Sequence, residues 1–201
     1  MESVCEGLVT RKPPYLHRRG GQNDINKQNH FHGSAAKINN NLGIMQEVLL
    51  FAATGISMLY VLCSMHRGIP ESLSATYYEL GNHGWMFQIV MLAMGVLLFP
   101  VWVSVSGCGH EWMAFVACVS LLFVAATPAF RLPLVGAVHY DSAVVCCVCA
   151  VLWQILEGLW DVTLWFGFVG GMLSLMMRDK WCWWLECAVI GSILCNLWRV
   201  V

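Results

Sequence analysis

From about Val48 onward, apolar residues run in blocks of about twenty, the length a helix needs to cross roughly 30 Å of hydrocarbon. Short polar interruptions divide them into six segments, at about Val48–Ser64, Trp85–Val105, Trp112–Phe130, Val135–Leu156, Leu159–Met177 and Trp181–Trp198. A spanning backbone must satisfy its own hydrogen bonds inside lipid, so these blocks are expected as helices rather than strands. Pro100 is expected to bend the second segment near its end, and Pro128 to stop the third. The narrowest division falls between the fourth and fifth, where only Glu157, Gly158 and Asp161 intervene. Trp85, Trp102, Trp112, Trp160, Trp181, Trp183 and Trp198 all lie close to segment ends. Tryptophan prefers the headgroup zone, so this girdle supports the segmentation independently of hydropathy.

Residues 1–44 follow another pattern. Gly20-Gly21-Gln22-Asn23-Asp24 and Lys37-Ile38-Asn39-Asn40-Asn41 are polar and offer little that could form a core, so a disordered tail is expected. No apolar stretch follows the early basic residues, as a secretory signal would require. Arg11, Lys12, Arg18 and Arg19 read as part of a solvated tail rather than a contact with anionic lipid. Met45 stands directly before the first apolar block, and the tail is alternatively translated sequence upstream of that start. The expected fold is all-α: a polytopic membrane bundle of six transmembrane helices, residues 45–201, behind a disordered N-terminal tail.

Composition sharpens this picture. Hydrophobic residues make up 58% of the chain and charged residues 11%, where a soluble domain carries about 25% charged. The ten cysteines lie mostly inside apolar blocks, where free Cys is a small hydrophobe rather than half of a disulfide framework. Small residues favour close helix approach: Gly167, Gly170 and Gly171 in the fifth span, and Ala117, Ala125 and Ala126 in the third.

Charge bears on orientation. The net charge of −1 conceals an asymmetry, with six Lys/Arg against three acids in residues 1–44 and five against nine thereafter. Loops one, three and five hold Arg67, Arg131, Arg178 and Lys180, and the opposite side holds only Arg199 once the tail is set aside. The positive-inside bias then places those three loops in the cytoplasm. Counting the tail reverses that placement.

The candidate chemistry gathers on the side of those loops. Loop one, His66 to Glu79, is long and rich in hydroxyls, with Ser72, Ser74 and Tyr77. Loop three carries Arg131 and leads to His139-Tyr140-Asp141 at the head of the fourth span. Glu186 lies one and a half turns into the last span, roughly 8 Å below the interface at about 1.5 Å per residue. Topology therefore lets His139, Asp141 and Glu186 share one shallow pocket with the hydroxyls of loop one. An ionisable residue inside a membrane is a functional hypothesis in its own right. The plainer alternatives are an ion pair of Glu186 with Arg131, Arg178 or Lys180, and a hydrogen bond by which His139 holds the third loop.

Other groups of residues point to packing. Gly107-Cys108-Gly109-His110-Glu111 reads as a turn with a capping acid rather than a metal site. Cys146, Cys147 and Cys149 read as small apolar packing, although Cys146 and Cys149 share a helix face. His139 and His83 sit near the same side, whereas a two-histidine haem site wants ligands on facing helices within the membrane. No phosphate-cradling glycine loop, HExxH or GxSxG occurs. No metal, cofactor or nucleic-acid partner is expected; the expected partners are the bilayer and a small-molecule or lipid ligand.

Ile69-Pro70-Glu71-Ser72-Leu73-Ser74-Ala75-Thr76-Tyr77-Tyr78, Val138-His139-Tyr140, and Lys180-Trp181 with Trp184-Leu185-Glu186 resemble an uncharacterised family of small six-span membrane proteins from Bacteroides-type gut bacteria. The resemblance covers about residue 46 to the end. It implies a bacterial inner-membrane protein and brings no activity. The membrane hydrolases related to alkaline ceramidases fit poorly: they have seven spans, and the paired histidines of their last span are Glu186 and Asn196 here.

Three functions compete. One is a non-enzymatic membrane protein binding or passing a small solute or lipid headgroup through His139, Tyr140, Asp141, Glu186, Arg131, Ser72, Ser74 and Tyr77. Another is a lipid-acting hydrolase with His139 as base, Asp141 orienting it, Ser72 or Ser74 as nucleophile and Arg131 holding an anionic headgroup. That reading requires hydroxyl and imidazole within hydrogen-bond reach. The third is a structural subunit of a larger membrane assembly.

Overall fold

The computed structural model describes residues 23–66, 68–107 and 109–201, with side chains described from residue 41 onward. All regular structure among them is helical: α1 (Asn23–Met65), α2 (Thr76–Glu79), α3 (Trp85–Val105), α4 (Glu111–Ala126), α5 (Pro133–Leu156), α6 (Trp160–Met176) and α7 (Trp181–Val200). Single 3₁₀ turns, Gly81–His83 and Arg178–Lys180, lead into α3 and α7. The chain divides into two units, Met1–Met45 and Gln46–Val201. Of the tail expected over residues 1–44, the part before Asn23 lies outside the described residues, and the part from Asn23 on is helical, as the start of α1, rather than disordered.

Four stretches are long and apolar enough to cross a membrane: Asn41–Met65, Gly81–Val105, Pro133–Leu156 and Arg178–Val200. The third and fifth expected segments form the shorter apolar helices α4 and α6, of 16 and 17 residues. The third ends at Ala126, four residues before its expected limit. Thr127 precedes Pro128 and has left the helical region, at φ −117° and ψ 53°, because a following proline crowds that conformation. Pro133 opens α5, a position where its missing N–H costs nothing. α3 continues through Pro100 to Val105.

Antiparallel neighbours pack in sequence order, α3 on α4, α4 on α5, and α6 on α7, and α7 also meets α5 and α3. Where α6 and α7 meet, a Cβ on Gly170 would lie 2.6 Å from the Ala188 Cβ. The helices touch there only because that position has no side chain. Gly167 and Gly171 face no such neighbour.

Two apolar clusters form the interior. One, centred on Leu50, Ala53, Trp102, Ala114, Ala150, Trp153 and Leu197, occupies the end opposite loop one. The other, Tyr60, Leu73, Phe87, Met91, Val124, Ala125 and Trp183, lies beneath loop one. Outward faces are as apolar as the interior, with Phe51 73% and Leu175 75% exposed, an arrangement suited to lipid and a liability in water.

The tryptophan girdle needs one correction. Trp85, Trp112, Trp160, Trp181 and Trp198 are exposed near helix ends as expected, but Trp102 and Trp183 are buried. Trp102 packs edge-on against Trp153 with ring centroids 5.3 Å apart, and Trp183 belongs to the cluster under loop one. Both face the bundle interior, so helical phase overrides their position along the span.

Candidate functional site

The site is built on loop one, which folds back onto the bundle. Gly68, at φ +114°, takes the chain out of α1 through a backbone region that only glycine enters freely. The Ser72 hydroxyl accepts the Ala75 N–H at 2.9 Å and closes the turn into α2. The Thr76 hydroxyl donates to the Leu73 carbonyl at 2.5 Å. Its single hydrogen is thereby used, so Tyr60 of α1 donates its phenolic hydrogen to Thr76. These bonds bury Leu73, Ser74, Ala75 and Thr76.

Two further contacts bind the loop to α7. The first N–H groups of a helix have no partner within it, and the Trp183 N–H donates to the Glu71 carbonyl at 3.2 Å. One turn deeper, the Glu186 carboxylate accepts the Leu73 N–H at 2.6 Å. Glu186 forms no ion pair with Arg131, Arg178 or Lys180. The salt bridges among the described residues are His110–Glu157 and Arg199–Asp161, both at the opposite end.

The neighbouring residue reaches α5. The His139 ring is buried, with Nε2 2.9 Å from the Ser74 hydroxyl and Nδ1 2.9 Å from the Thr127 carbonyl. A carbonyl can only accept, so Nδ1 carries the hydrogen. The neutral ring then keeps a lone pair on Nε2, to which Ser74 donates. Phe130 stacks on the imidazole at 5.0 Å and 28°. A Cβ on Gly136 would collide with the Phe130 carbonyl, so the chain after α4 can fold this closely over the first turn of α5 only because residue 136 is glycine.

The remaining expected residues lie around this pair rather than in it. Tyr140 and Asp141 are exposed. Successive helical residues are about 100° apart, so His139 alone of the three faces inward. Asp141 therefore does not orient the imidazole; the Thr127 carbonyl does. Arg131 is exposed as well, its guanidinium 4.2 Å over the Tyr78 ring and its backbone N–H donated to the Tyr78 hydroxyl at 3.0 Å. Tyr77 is half-buried, its ring edge-on to Tyr78 at 5.1 Å. Ser72 is occupied by its turn.

Below loop one, a cavity of about 290 Å³ runs between α1, α3, α4, α5 and α7. Ser74 and Glu186 open onto it at the loop end, and Met91, Met94, Leu98 and Trp102 line it along α3. The lining on α3 extends from Phe87 to Trp102, roughly 22 Å at about 1.5 Å per residue. The Ser57 hydroxyl also borders the cavity but bonds to its own helix, at Ala53 and Thr54. Cys146 and Cys147 border it as free thiols, and Cys149 is buried in the core.

The opposite end carries polar structure that sequence reasoning missed. The Asn196 side-chain amide donates to Gln154 Oε1 at 2.8 Å, and the Thr163 hydroxyl donates to the same oxygen at 2.8 Å. Glu157 accepts the Gly107 N–H at 2.7 Å and lies 3.1 Å from His110. In the expected turn, Glu111 accepts the Gly109 N–H at 2.8 Å. Amides within apolar helices were the available signal for the first network, since lipid leaves them no other partner. No family model, curated protein or solved structure matches this chain.

Proposed function

We propose that this protein is a six-span integral membrane protein that binds a lipid-like ligand. Its apolar chain lies in the interhelical cavity and its polar end against loop one, beside Ser74 and Glu186. The observation that carries the reading is the cavity's polarity. It is long and apolar along α3, α4 and α7, and the Ser74 hydroxyl and Glu186 carboxyl group stand at the loop-one end. Its volume of about 290 Å³ lies at the lower end of ligand pockets, about 300–1,000 Å³. The apolar lining argues against passage of a polar solute.

Apolar outward faces on all six long helices support six spans. At about 1.5 Å per residue, α4 and α6 reach roughly 25 Å, and flanking loops or local thinning of the bilayer make up the difference. The inner membrane of a bacterium is the proposed location, on the strength of the resemblance in loop one and at the heads of α5 and α7.

Native mass spectrometry of the protein extracted in mild detergent tests the binding. The expected result is a one-to-one lipid adduct that survives delipidation. Met94→Trp, which fills the cavity, should lower its occupancy about tenfold. Wild-type protein that emerges lipid-free overturns the reading.

A further inference from the structure

We propose that Ser74 is a nucleophile that takes an acyl group from a lipid ester, with His139 as its general base. This rests on the binding reading, because the ester must lie in the cavity. Three features of the pair go beyond what packing requires. First, Ser74 stands between the imidazole and the cavity: its hydroxyl bonds to Nε2 at 2.9 Å, and it borders the cavity that His139 does not reach. A serine that merely satisfied a buried histidine would not need to open onto an interhelical cavity. Second, the ring is held in the one tautomer that can accept the serine proton. The Thr127 carbonyl fixes the hydrogen on Nδ1 and the stacked Phe130 fixes the ring plane, the role a third group plays in orienting a catalytic base. Third, the backbone N–H of Ser74 makes no hydrogen bond among the described residues, whereas those of Leu73, Ala75, Thr76 and Tyr77 are all used. A nucleophile's own N–H is one of the donors that stabilise the oxyanion in acyl transfer.

The chemistry balances without a further reactant. The Ser74 oxygen forms a bond to the ester carbonyl carbon while its proton passes to Nε2. The tetrahedral oxyanion collapses, the bond to the leaving alkoxide breaks, and Nε2 returns the proton to release an alcohol. Water, deprotonated by the same nitrogen, then attacks the acyl-serine. It yields a fatty acid and restores the hydroxyl. Nothing is oxidised or reduced.

Two fluorophosphonates separate this claim from the binding reading. A short-chain probe needs only a reactive Ser74, whereas a hexadecyl probe also needs the cavity. On the full chain in detergent, peptide mapping should find the phosphonyl adduct on Ser74 with both, faster with the long chain. Ser74→Ala should abolish it, and His139→Gln should slow it by about a hundredfold, the low end of what a general base supplies. Ser104→Ala, at the opposite end, should react as wild type. The wild-type adduct decides the matter even if the histidine variant does not fold. If neither probe gives an adduct the proposal is overturned, and retained lipid by native mass spectrometry would then leave the binding reading standing. An adduct with the short probe alone overturns the lipid ester as substrate.

Discussion

Leu73 and Glu186, 113 positions apart, are joined by a single hydrogen bond from backbone N–H to carboxylate, at 2.6 Å. Leaving a buried N–H without its acceptor costs about 1–3 kcal/mol. Glu186→Ala should therefore lower the melting temperature in detergent by roughly 5 °C, and Glu186→Gln, which keeps an acceptor oxygen, by less. Tryptophan fluorescence on heating measures both. Equal melting of Glu186→Ala and wild type would show that this bond does not hold loop one.

The neighbouring bond shows what could and could not be foreseen. The apolar blocks are legible because a run of about twenty such residues has no better fate than a helix in lipid. The loop-one end is legible as well, since alternation of helix direction decides which loops are neighbours. Which member of His139-Tyr140-Asp141 turns inward depends on helical phase against α3 and α4, and no local pattern encodes that. The partner of Nδ1 was harder still. A backbone carbonyl looks the same at every residue, and Thr127 supplies one only because Pro128 ends α4 beside the ring. Asp141 is the partner expected from sequence because side chains are all that a sequence distinguishes.

The α6–α7 contact makes a sharper test of packing. A methyl group on Gly170 would meet Ala188 at 2.6 Å, but one on Gly167 would meet nothing within 4 Å. Overpacking a tight contact costs about 1–3 kcal/mol, whereas alanine in an open helical position gains up to about 1 kcal/mol over glycine. Gly170→Ala should melt lower than wild type and Gly167→Ala at or above it. The reverse order would mean that α6 and α7 do not approach at Gly170.

Asn196 and Gln154 should be coupled. Both are buried, and they share a 2.8 Å bond that lipid cannot replace. Interhelical side-chain bonds in membranes average about 0.6 kcal/mol and reach about 1.7 kcal/mol. A double-mutant cycle of Asn196→Ala and Gln154→Ala, read by unfolding in detergent, should give a coupling in that range. Strict additivity would mean that the two amides act independently.

Orientation follows from where the cations fall on the bundle. Arg131, Arg178 and Lys180 lie at the loop-one end, as Arg67 does in sequence, and Arg199 lies at the other, paired with Asp161 at 2.8 Å. With residues 1–44 set aside, the positive-inside bias predicts that loop one, and with it Ser74, His139 and Glu186, faces the cytoplasm; counting the tail reverses that expectation. A periplasm-dependent phosphatase fused after Asp179 should be silent, and the same fusion after Gly158 should be active. The opposite pattern would reverse the bundle and place the mouth of the cavity on the outer face.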